Sequence, residues 1–167
     1  MSASVSFRRV PQDHDPEALV ANLVTIREEI ARACERSGRD PDGVRIVAAA
    51  KTVEPEAIAR VRDAGVREVG ENYVKELRAK RDQVDGVVWH YIGTLQSHTA
   101  HQVADLADVV ETVTPGRAME RLARRANTSG RTIPVLIEVD FTRERRGSHR
   151  RGSTTRPIRW RTPTDSA

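Results

Sequence analysis

Apolar and polar positions alternate along this chain in blocks of about twenty residues, and the period inside the blocks switches repeatedly between two kinds. Asp15-Pro16-Glu17 predicts a helix start, with an Asp cap and Pro at the first helical position. Leu19, Leu23, Ile26, Ile30 and Ala33 then recur at spacings of 4, 3, 4 and 3, the stripe of an amphipathic helix. Gly38 is placed to end it. "VRIVAAAK" (44–51) is almost continuously apolar, which predicts a strand buried on both faces. "EPEAIARVRDAG" predicts a helix from Pro55 to the stop at Gly65, with Ile58 and Val61 turned inward. The remaining strands are "VREVGEN", "VVWHYIG", "DVVETV" and "IPVLIEVD", the last also expected to be buried. The helices between them are "YVKELRAKRDQ", "SHTAHQVADLA" and "PGRAMERLARRAN", the last with Met119, Leu122, Ala123 and Ala126 on one side.

Five strands separated by helices predict a parallel sheet covered by helices. A doubly wound open sheet and a barrel both satisfy that pattern. No Gly-x-Gly-x-x-Gly follows any strand, which weakens the dinucleotide-binding version of the open sheet. A complete barrel needs eight units and over ~200 residues. Here the pattern covers five units.

Beyond the fifth strand the chain changes character. In residues 143–167 only Ile158, Trp160 and Ala167 are hydrophobic. Residues 142–167 carry eight Arg against Glu144 and Asp165, a net +6, so the chain's total of +4 leaves −2 for the first 141 residues. The basicity therefore belongs to the tail. One reading of that tail is a nucleic-acid-binding segment, yet it lacks RGG repeats and interleaved aromatics. The composition predicts disorder for 143–167, and residues 1–15 read the same way. The single cysteine, Cys34, excludes an internal disulfide and suits a reducing cytoplasm. No apolar run reaches membrane-spanning length, and the N-terminus does not read as a signal peptide.

In parallel α/β folds chemistry gathers at the carboxyl ends of the strands. Lys51 ends the most apolar strand, and its "IVAAA" flank predicts a partly desolvated amine suited to Schiff-base chemistry. The competing reading is a lysine reaching out to solvent. Lys75 and Lys80, in a polar helix, are expected to be solvated. Asn72 is placed either to meet a ligand or to cap the following helix. His90 reads as a satisfied core histidine, with Trp89 and Tyr91 on the opposite face. Glu138 and Asp140 fall on the fifth strand. His98 and His101 stand at i, i+3 without a third ligand at metal spacing, so no metal is assigned. An α/β enzyme using Lys51 on a carbonyl substrate remains an alternative.

Three blocks, "VRIVAAAKTVEPEAI", "GVREVGENYVKEL" and "VVWHYIGTLQS", in this order and spacing, resemble the YggS/PROSC pyridoxal 5′-phosphate homeostasis proteins. "NLVTIREEIARACERSGRDPDGVRIVAAAKT" resembles the start of that family, and the likeness runs over about residues 16–142. It implies the α/β class and the (β/α)8 TIM-barrel fold of the alanine racemase N-terminal type, with about five units present. It further implies that Lys51 holds pyridoxal 5′-phosphate as a Schiff base with Asn72 beside it. The implied protein is a non-catalytic, cytoplasmic, monomeric handler of the cofactor that supplies apoenzymes dependent on it. The chain departs from the family twice. His98-Thr99 stands where the family has Asn-Lys. After about residue 142 the later units that carry the phosphate-binding groups are not recognisable, which predicts a chain truncated or frameshifted there, with impaired binding.

Overall fold

The computed structural model describes residues 16–139. The expectations for residues 1–15, for Asp140 and for the basic segment 143–167 lie outside the described residues. The elements run α1 (Pro16–Ser37), a 3-10 turn (Pro41–Gly43), β1 (Val47–Ala49), α2 (Pro55–Asp63), β2 (Glu68–Glu71), α3 (Val74–Arg81), β3 (Val88–Tyr91), α4 (Ala100–Leu106), β4 (Val109–Val113), α5 (Arg117–Thr128) and β5 (Val135–Ile137). Every expected strand and helix is present. The shortest helix starts three residues later than its sequence pattern implied, because Ser97 to Thr99 form a turn.

The five strands form one parallel sheet in the order β1-β2-β3-β4-β5. Each crossover moves the chain one place in the same direction. A doubly wound sheet reverses direction at a switch point. Strictly sequential order is the topology of a barrel wall, and it decides between the two architectures.

The core lies between the sheet and the helices. Val69, Trp89, Tyr91 and Val110 from the strands pack with Leu77, Val103 and Leu122 from α3, α4 and α5. Alternation along the strands puts Glu68 and His90 on the other face, where they join Glu111. Trp89 and Tyr91 thus face away from His90, as expected. Gly38 ends α1 at φ 64, with the Arg39 N–H donating to the Cys34 carbonyl at 3.0 Å.

Three burial expectations need correction. Of the "VRIVAAAK" strand only Ala50 is buried, because β1 is an edge strand with β2 as its one neighbour in the described sheet. In β5, likewise at an edge, Leu136 and Ile137 are exposed. In α1 only Leu23 of the stripe is buried, Leu19 and Ile30 are half-buried and Ile26 and Ala33 are exposed, with Cys34 buried in place of Ala33, as the helix touches only α2 and the 3-10 turn extensively. Among the described residues no helix is long and apolar enough to cross a membrane.

Candidate functional site

The carboxyl ends of β1, β2 and β3 bring three sequence segments to one edge of the sheet. β1 ends in a tight turn: Val53 N–H donates to the Ala50 carbonyl at 3.1 Å, with Lys51 and Thr52 between them. Thr52 has φ 60. A β-branched residue in the left-handed region is strained by about 1–3 kcal/mol, and such strain persists only where neighbouring contacts fix it. Lys51 is therefore presented by a constrained backbone.

The Lys51 side chain is exposed, which corrects the expectation of a partly desolvated amine. The alanines that precede it are small and belong to an edge strand, so they do not close over it. Its Nζ lies 5.7 Å from the centroid of the Tyr73 ring, within cation–π range. Tyr73 follows Asn72 directly and is itself half exposed. Thus the two candidate residues occupy neighbouring strand ends and are linked through Tyr73.

Asn72 does not cap α3. Tyr73 occupies the cap position, and no side chain satisfies the helix start. The Asn72 carbonyl instead meets β3. A Cβ on Gly93 would lie 2.0 Å from the Asn72 oxygen, so only glycine lets the two strand ends approach this closely. A cavity of about 650 Å³ opens beside this contact, with Asn72, Tyr73, Lys75, Arg78, Gly93 and Thr94 in its wall. Its size is in the range of small-molecule sites. Tyr91 also lines it, and burial raises the pKa of that phenol. Lys51 is not part of this wall, although Tyr73, which its amine faces, is.

Of two buried polar groups beside the sheet, one escaped the sequence reading. Lys80, expected to be solvated, is only 5% exposed, whereas Lys75 is exposed as expected. Lys80 Nζ lies 2.5 Å from Glu71 Oε1, donates to the Ala50 carbonyl at 2.9 Å and stands 3.3 Å from Glu76 Oε2. Glu71 is fully buried, and its other oxygen accepts the Asn72 N–H at 3.2 Å. The signal was present in the helical spacing: Val74, Leu77 and Lys80 recur every three residues, so the lysine continues an apolar stripe. The second group is His90, which is buried between Glu111 (2.6 Å from Nδ1) and Glu68 on Nε2. A core histidine was expected, and both of its ring nitrogens are satisfied. His98 and His101 are exposed. Among the described residues no group of three His, Cys, Asp or Glu is disposed to hold a metal. Glu138 follows the last residue of β5, its N–H donating to the Val113 carbonyl at 2.9 Å.

Comparison with known proteins matches this geometry to a family. The family described as alanine racemase, N-terminal domain, matches residues 16–155. The pyridoxal phosphate homeostasis protein of Escherichia coli is 36% identical over 128 residues, covering 74% of this chain and 55% of that protein. The protein of the same name from Haemophilus influenzae is 32% identical over 127 residues, 74% of this chain and 54% of its own. PipY of Synechococcus elongatus, solved with PLP bound, superposes with a TM-score of 0.59 at 29% identity, over 68% of this chain and 55% of PipY. The chain thus spans about half the length of the relatives it matches. The sequential parallel sheet, the resemblance carried by the three sequence blocks and these matches agree: the chain belongs to the alanine racemase N-terminal domain family.

Proposed function

We propose that this chain binds pyridoxal 5′-phosphate and takes part in intracellular handling of that cofactor, with Lys51 as the attachment point and Asn72 beside it. The observation that carries the reading is the placement of Lys51: a primary amine on a constrained turn at the carboxyl end of β1, next to an aromatic ring. The residues present fit the group. Lys51 offers an accessible nucleophile, and Tyr73 offers an aromatic face beside it. The Asn72 side chain is not spent on capping a helix. When bound, the cofactor supplies an aldehyde that condenses with a primary amine, together with an electron-poor ring. The role read for the chain is that of a carrier rather than a catalyst, a cytoplasmic monomer that passes the cofactor to dependent apoenzymes. Residues 16–142 are read as the binding unit.

The relatives support this reading, being pyridoxal phosphate homeostasis proteins in name. Mixing the protein with pyridoxal 5′-phosphate should give a visible absorption band. Borohydride reduction followed by peptide mapping should then place the label on Lys51, and Lys51→Ala should abolish the band in a folded protein. A stable label on Lys75 instead would overturn the assignment, since Lys75 is exposed and nothing in its setting favours it.

A further inference from the structure

Lys80 and Glu71 form a buried ion pair, and two of its three remaining contacts lead to the candidate site. The Lys80 ammonium reaches the Ala50 carbonyl at 2.9 Å, and that same oxygen closes the turn holding Lys51 and Thr52. The Ala50 N–H is fixed in turn by the Gly70 carbonyl at 2.8 Å. On the other side Glu71 spends one oxygen on Lys80 and the other on the backbone N–H of Asn72. The chain of contacts therefore runs from the residue before Lys51, through Lys80 and Glu71, to Asn72.

A charged pair is an expensive way to fill space under a helix. Apolar residues of similar volume stabilise as well or better, so a buried pair is weak grounds for stability as its purpose. Its geometry is specific where an apolar contact is not, because an ammonium at hydrogen-bond distance fixes both the position and the direction of its acceptors. Thr52 at φ 60 is the backbone conformation that such fixing has to maintain. Glu76, 42% exposed, also faces the ammonium, and it comes from the solvent side of α3 rather than from the site.

We propose that the Lys80–Glu71 pair is a positioning clamp that sets the Lys51 turn against Asn72, Lys80 acting through the Ala50 carbonyl and Glu71 through the Asn72 N–H. This inference rests on the proposed role of Lys51, so its test has one arm that needs no cofactor. The double variant Lys80→Met/Glu71→Leu replaces the pair with apolar groups of similar size and leaves no unpaired buried charge. In the ligand-free protein, amide hydrogen exchange at Val53 and Asn72 should accelerate at least tenfold in the variant, while Val110 in the sheet keeps its protection. Unchanged exchange at both amides would overturn the clamp whatever the cofactor does. In the second arm pyridoxal 5′-phosphate is titrated and the visible band followed. The double variant should bind at least tenfold more weakly, with its melting temperature close to that of the wild type. Equal affinity in a folded variant would also overturn the clamp. A wild-type label that maps away from Lys51 would overturn the proposed function instead, and the exchange arm would then decide the clamp alone.

Discussion

Lys80 is the residue whose environment differs most from what its neighbours in sequence imply. It sits in "YVKELRAKRD", a polar segment, yet it is buried against a fully buried carboxylate. Removing one partner of such a pair leaves the other as an uncompensated buried charge, which costs roughly 3–5 kcal/mol. Lys80→Met should therefore destabilise the fold by about that amount in urea melts. The double variant Lys80→Met/Glu71→Leu should recover most of the loss. If the single substitution costs no more than ~0.5 kcal/mol, the pair is not a buried one in solution. The same residue marks the limit of what the sequence discloses. Lys51 and Asn72 were legible as candidates because they end strands in recognisable blocks. The buried polar contacts were not, because those between Lys80 and Ala50, and between Glu68, His90 and Glu111, join residues from different βα units. Periodicity identifies a face, while the partner across it depends on how the units pack.

Between elements, the C-terminus of α4 shows how the helices are tied to the sheet. Arg81 from the end of α3 donates to the Leu106 carbonyl at 2.6 Å and forks onto both oxygens of Asp108. Arg131, just before β5, donates to the carbonyls of Ala104 and Ala107. These are the orphan carbonyls of a helix end, which two guanidinium groups satisfy. Asp108 also accepts the Trp89 N–H at 2.9 Å, so one carboxylate joins β3, α3 and the start of β4. Partial burial opposes its ionisation. The Arg81 and Trp89 hydrogen bonds and the charges of Arg81 and Arg131 outweigh that effect and hold its pKa below the ordinary aspartate range. A carboxyl whose pKa is lower in the folded than in the unfolded chain stabilises the fold when ionised. Its contribution is complete above roughly pH 4 and disappears as the pH falls through the lowered value. The stability gap between the wild type and Asp108→Asn should accordingly be widest near neutral pH and shrink on acidification, as read from urea melts at pH 7 and pH 3. A gap that does not change would remove Asp108 from the acid response. Helix and strand existence was legible here because each unit repeats the same switch of period. Which strands are edges was not legible, because an apolar run looks the same at the centre and at the border of a sheet.

On the scale of the molecule, the described sheet and its core are built from residues 16–139, and β2, β3 and β4 supply the buried strand residues of the core cluster. The proposal that residues 16–142 form the binding unit has a direct check: cutting the chain after Thr142 should leave the circular dichroism and the thermal melting of the fold unchanged. A large loss of helix signal would show that residues beyond the cut contribute to the packing.

The order of the strands also governs how the molecule can be made. In every neighbouring pair the later strand docks against the one synthesised just before it, as Glu68 does on Val47 and Trp89 on Val69. Within the described sheet no strand has to wait for a distant stretch of chain to arrive, and none must be inserted between two others already in place. Loop closure spans only a single helix each time, so its entropic cost stays small and alike at each step. Assembly can then proceed by adding one unit at a time to a growing edge, in the direction in which the ribosome releases the chain.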